Sequence, residues 1–122
     1  AARRTIEELA DRIAANDLQG VLGLVSEDAP RARGLAIRHL SYVQIEWTKI
    51  REFEILEINR HKSPPKARVA FRGTVSGRTS DLDAPFTVII NFREVELRLE
   101  NGVWRVTDKC EFEYPGYSTD GF

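Results

Sequence analysis

One cysteine, Cys110, stands in the whole chain. That excludes an internal disulfide and any zinc site built from clustered cysteines. It leaves the compartment open, because exported proteins also occur without disulfides. No long apolar run is present, so no segment is suited to span a bilayer. No charge of one sign dominates: 18 basic and 19 acidic residues give a net charge of −1. Such a balance offers no uniform field to draw nucleic acid or an anionic membrane surface. The two histidines, His39 and His61, lie far apart without carboxylates at metal-ligand spacing, so no metal site is expected. Gly73 and Gly77 make no phosphate loop, since no Lys-Ser or Lys-Thr follows a glycine-rich strand-to-helix turn. A Gly-x-Ser-x-Gly nucleophile elbow is missing as well. No cofactor is implied. The chain opens on Ala1-Ala2 without an initiator Met, which fits a mature end left by removal of an export signal or a boundary of another origin.

What is present suits one domain over residues 1–122, with its core at about 4–114. At 122 residues, 42% apolar and 30% charged, the chain can bury a single core and keep a charged surface. Helix-like segments fill roughly the first 47 residues, and strand-like segments follow. Helices first and antiparallel strands after predict an α+β fold rather than an alternating α/β one.

Thr5-Ile6-Glu7-Glu8 has capping-box spacing. Ile6, Leu9, Ala10, Ile13 and Ala14 then form one apolar helical stripe. Asn16-Asp17 interrupts it and can cap a second helix carrying Leu18, Val21, Leu22 and Val25. Asp28-Ala29-Pro30 reads as a third start, with proline in the first turn where its missing N–H costs little. Ala32, Leu35, Ala36, Leu40 and Val43 carry that stripe to an end near Trp47.

Residues 49–60 are apolar on both parities. The run 67–77 alternates, with Val69, Phe71, Gly73 and Val75 on one face and Arg68, Arg72, Thr74 and Ser76 on the other. Phe86, Val88, Ile90 and Phe92 occupy even positions, whereas Val95, Leu97 and Leu99 are odd. A one-residue slip flips every side chain, so a β-bulge is expected near Arg93-Glu94. Asn101-Gly102 suits a two-residue hairpin turn. The last strand places Trp104, Val106, Asp108, Cys110, Phe112 and Tyr114 on one parity. From residue 115 on, periodicity is lost, and a tail draped over the surface or disordered is expected.

Three helices followed by long strands, the last opening on Gly102-Val103-Trp104-Arg105-Val106, resemble the nuclear transport factor 2-like superfamily. That group includes ketosteroid isomerase, scytalone dehydratase and polyketide cyclases. The resemblance covers roughly residues 4–114. It implies a cone: three helices on a strongly curved antiparallel sheet of about four strands, a cavity between them, and a homodimer through the outer sheet face. One departure is visible. Family members often carry a short hairpin between the second and third helices, and residues 26–31 are too few for one.

Asp108 is the candidate catalytic residue. It shares the inward parity of its strand, and a buried carboxylate must be paired or must shift its pKa, as a general acid or base does. The alternatives are a structural pairing with Arg or Tyr, or a second bulge that turns it to water. His39 and Tyr42 could line the cavity mouth, and Trp47 and Tyr114 read as core or rim aromatics that can touch a ligand. Trp104, Cys110 and Phe112 complete the candidate lining. Cys110, among aromatics and without a local base, reads as a small hydrophobe. Arg31, Arg33 and Arg38 could hold an anion or simply solvate the third helix. Glu52, Glu54 and Glu57 could pair across strands with Arg68 and Arg72.

Three functions fit these residues. The first is a binding or assembly module holding a small apolar molecule. The second is an isomerase, dehydratase or cyclase using Asp108 as acid/base, with Tyr42 or His39 orienting the substrate. The third is an interaction domain working through the sheet face.

Overall fold

A computed structural model describes residues 2–113, so the expectations for Tyr114 and the tail lie outside the described residues. Helices α1 (Ala2–Ala14), α2 (Leu18–Leu22) and α3 (Pro30–Leu40) precede β1 (Val43–Asn59), β2 (Lys66–Thr79), β3 (Pro85–Glu100) and β4 (Val103–Glu113). The strands form one antiparallel sheet in the order β1-β2-β3-β4. The architecture is the expected α+β one.

Helix α1 begins at Ala2, so Thr5 is no cap but a buried residue of its interior. Pairs at i,i+4, Arg3 with Glu7 (3.5 Å) and Arg12 with Glu8 (2.8 Å), hold its wet side. Its apolar side buries Ile6, and the Thr48 hydroxyl of β1 donates to the Ala10 carbonyl at 3.0 Å. Beyond α1, Asn16 takes φ 57° and its amide imitates a neighbouring strand. Nδ2 donates to the Ile45 carbonyl (2.9 Å) and Oδ1 accepts from the Ile45 N–H (2.7 Å). Asp17 caps α2 by accepting from the Gly20 N–H at 2.9 Å.

Helix α3 stops at Leu40, capped by Ser41, well before the expected end near Trp47. The reason is local. Val43, Gln44, Ile45, Glu46, Trp47 and Thr48 alternate with period two and are rich in β-branched and aromatic residues, and they open β1 instead. Val43 fits both patterns, because it sits three residues after Leu40.

Bulges curl the sheet. Strand β1 slips register against β2 between Ile45 and Trp47, Arg51 and Glu54, and Ile55 and Glu57. Strand β3 slips between Phe92 and Glu94, at the place where its parity changes. The step from Val95 to Leu97 on β3 faces the longer step from Cys110 to Val106 on β4, so β4 bulges around Asp108. Each bulge adds twist and bend. At Gly77, a Cβ would lie 2.3 Å from the Gln44 carbonyl oxygen, so β1 can close on β2 there only without a side chain. Asn101 and Gly102, at φ 52° and 79°, make the expected tight turn.

The concave face meets the helices. Ile6, Val69 and Leu97 are fully buried, with Ala67, Val95 and Val106 beside them. A row of phenylalanines crosses all four strands: Phe53 to Phe71 at 6.3 Å between ring centroids, Phe71 to Phe92 at 4.7 Å, and Phe92 to Phe112 at 5.8 Å. Such offset contacts add to what area burial alone contributes.

The short α2–α3 connection is a turn pinned to β4. Ser26 N–H donates to the Val106 carbonyl (2.8 Å) and Val106 N–H to that of Leu24 (2.9 Å), giving one parallel bridge that covers this part of the β4 edge. Ser26, itself buried, donates to Glu100 at 2.7 Å and accepts from Arg98 at 2.8 Å. Arg33 fixes the same corner from α3, donating to the carbonyls of Leu22 (3.1 Å) and Val25 (3.2 Å).

Candidate functional site

The concave face is filled on one side of the phenylalanine row and hollow on the other. Along β2 and β3, Ala67, Val69, Val95 and Leu97 pack into the core on one side. On the other side, Val75, Phe86, Val88 and Ile90 face a cavity of about 390 Å³. Helix α3 lies over it. The helix presents Ala32 and Ala36 to the hollow, side chains too short to reach the sheet, and none of its residues is fully buried. Small residues here leave space where larger ones would have made core.

Asp108 reaches the cavity wall from the β4 bulge and also meets α3. Its Oδ1 accepts from the Ala32 N–H (2.7 Å) and its Oδ2 from the Arg31 N–H (3.2 Å). The N-cap position of α3 is Ala29, which has no side chain to do this, and Pro30 follows it. A carboxylate from β4 therefore supplies the missing cap, satisfying orphan donors and meeting the positive end of the helix.

The other polar side chains at the cavity come mostly from the same wall. Arg31 and His39 lie at the two ends of the α3 face, about 12 Å apart along the helix axis. Cys110 faces the hollow from β4. Burial pushes its thiol up to about 11, against the opposing pull of the Arg31 charge, so it is a neutral thiol at neutral pH.

Of the residues singled out in the sequence, the cavity brings together Asp108, His39, Cys110 and Phe112. It does not include Tyr42, Trp47 or Trp104. Tyr42 is 69% exposed after α3, and Trp104 packs against the core. Trp47 precedes Thr48, which pairs with the cavity residue Val75, so Trp47 points to the outer face. On that face, Arg68 joins Glu57 (3.3 Å) to Glu94 (2.7 Å), and Arg72 approaches Glu52 (3.8 Å). From the sequence, Arg31 stood open between holding an anion and solvating α3, and the structure puts it on the cavity lining. Its signal was its spacing: Arg31, Leu35 and His39 recur every four residues on one helix face. The α3 cap had a signal too, an alanine where a Ser, Thr, Asp or Asn would stand. Among the described residues, no group of three or more His, Cys, Asp or Glu side chains could hold a metal ion, and no helix is long and apolar enough to cross a membrane.

No family model matches the chain, and no curated protein matches it in sequence. Solved structures do match in shape. One, from Novosphingobium aromaticivorans and provisionally assigned as an aromatic ring hydroxylase, is 15% identical with a TM-score of 0.71, over 96% of this chain and 88% of its own. Another, a ketosteroid isomerase-like protein from Erwinia carotovora atroseptica, is 12% identical with a TM-score of 0.59, over 86% of this chain and 87% of its own. At these identities the likeness is one of fold.

Proposed function

Starting from a nuclear transport factor 2-like fold with a hollow under α3, we propose that this chain is a binding module for a small apolar molecule, held between α3 and the concave sheet face. The observation that carries this reading is the lining: Leu35, Ala36, Val75, Val88, Ile90 and Phe92 surround the space, and polar side chains are few. Pockets for small molecules have this character. The names of the two fold neighbours refer to an aromatic ring and a ketosteroid, and a rigid cyclic occupant suits walls of this kind.

An acid/base enzyme of isomerase, dehydratase or cyclase type is the second reading. It is favoured by Asp108 and His39 facing one cavity. Such chemistry needs several converging polar groups. Both Asp108 oxygens already accept helix N–H groups, and Cys110 is protonated, which weighs toward binding. Self-association through the outer sheet face belongs to the proposal as well, since Trp47 and Ile89 stand 46% and 44% exposed among the charges there. Sedimentation giving a dimer at micromolar concentration supports that part, and a monomer removes it.

The test is fluorescence titration with N-phenyl-1-naphthylamine, a neutral apolar dye. Saturable binding to the chain, lost in Ala36→Trp at unchanged secondary structure, is the expected result. Equal binding by the two proteins, or none by either, overturns the reading.

A further inference from the structure

We infer that the occupant of the cavity is an apolar molecule with one anionic head, a carboxylate or sulfonate, and that the Arg31 guanidinium holds that head at the mouth. This rests on the binding reading above and adds the charge and orientation of the ligand.

Two charged side chains border the hollow at its β4 end, Asp108 and Arg31, and they differ in what they have left to offer. The Asp108 carboxylate is engaged by the Arg31 and Ala32 N–H groups at 3.2 and 2.7 Å. Its charge is set against the positive end of α3, so it makes a poor anchor for a cationic ligand. The Arg31 guanidinium is in the opposite state. Asp108 contacts the backbone of Arg31, and among the described residues no carboxylate comes within 4.0 Å of its side-chain nitrogens. The other arginines near this corner are committed: Arg33 to the carbonyls of Leu22 and Val25, Arg98 to Glu100 and Asp28, Arg105 to Glu100 and the Gly23 carbonyl.

Arg31 also borders the hollow. It lines the cavity, and its charge acts on the Cys110 thiol within. The residue is exposed, so a head group bound to it keeps part of its water while the apolar body goes under α3. A planar guanidinium that no carboxylate of the described residues engages matches a carboxylate or sulfonate in bidentate fashion. His39, two turns further along the same helix face, marks the far end, so one molecule does not place the same head on both.

The test uses two dyes with one body: 8-anilinonaphthalene-1-sulfonate, which carries the anionic head, and neutral N-phenyl-1-naphthylamine. The anionic dye is expected to bind the unmodified chain about tenfold or more tightly than the neutral one, as a charge-assisted contact gives. In Arg31→Gln, which keeps the backbone N–H to Asp108, that advantage should vanish while neutral-dye affinity holds. Arg31→Lys should keep part of it. Equal affinity for both dyes, or an advantage that survives Arg31→Gln, overturns the inference and leaves the binding reading standing. Failure of both dyes to bind removes the binding reading and this inference with it.

Discussion

Asp108 on β4 and Ala32 on α3, 76 residues apart in sequence, are joined by a 2.7 Å hydrogen bond from backbone N–H to carboxylate. The sheet thereby caps the helix that roofs the cavity. One contact links the stability of the fold to the shape of the site.

Removing that carboxylate should cost what losing a helix cap costs. Asp108→Ala is expected to lower unfolding free energy by about 1 kcal/mol. Asp108→Asn should keep the fold and lose somewhat less, because one oxygen remains while the new NH₂ faces another donor. Urea unfolding monitored by circular dichroism measures both. Unchanged midpoints in both variants count against the cap. If a substrate is found and Asp108→Asn leaves its turnover intact, the acid/base reading ends.

Cys110 should make the alkaline limb of stability steep. Its thiol is raised from 9.0 to about 11 in the fold by burial, so the folded state holds its proton more tightly than the unfolded chain. That stabilisation is complete below pH 9 and lost as pH climbs toward 11, at most about 3 kcal/mol. The difference in stability between the unmodified chain and Cys110→Ala should shrink across that window. A constant difference contradicts it.

Glu100 should act on the acid side. Burial alone would raise its carboxyl, but hydrogen bonds from Ser26 and Arg98, with the Arg98 charge, outweigh that and hold it below its ordinary 4.5. A depressed folded pKa gives stability that is complete above 4.5 and lost as pH falls through the lowered value. Glu100→Gln should flatten the acid limb of the pH–stability curve. An unaltered limb would mean that the Ser26 corner does not couple to this carboxylate.

Gly77→Ala should be costly although it adds one methyl group. The new carbon would fall 2.3 Å from the Gln44 carbonyl oxygen, a backbone atom that cannot step aside without moving β1. Thermal unfolding should show a clear drop in midpoint, whereas Gly34→Ala, where a Cβ meets nothing, should stabilise α3 slightly. Equal effects at the two positions would contradict the close strand approach.

Much of the fold was legible because each signal was local. The alternation from Val69 to Val75 gave β2 its faces, the switch from Phe92 to Val95 gave the bulge, and Asn101-Gly102 gave the turn. The end of α3 was not, because Val43 satisfies a helical stripe and a strand alternation at once. Strand β1 blurred its own parity, since three register slips interrupt it. Parity also put Asp108 on the concave face, but its partners are backbone amides on another element, and no side-chain code announces those. The hollow was implied by the family resemblance and was not legible in its own residues. Ala32 and Ala36 read the same whether a neighbouring helix packs close or nothing fills the gap.

The most direct measurement is methyl-resolved NMR during titration with N-phenyl-1-naphthylamine, because Ile89 and Ile90 are adjacent and face opposite sides of the sheet. Shifts at Ile90, Val88, Val75 and Leu35, with Ile89 unmoved, are the expected result. Shifts confined to Ile89 and its outer-face neighbours, or none at saturating dye, would contradict a ligand under α3.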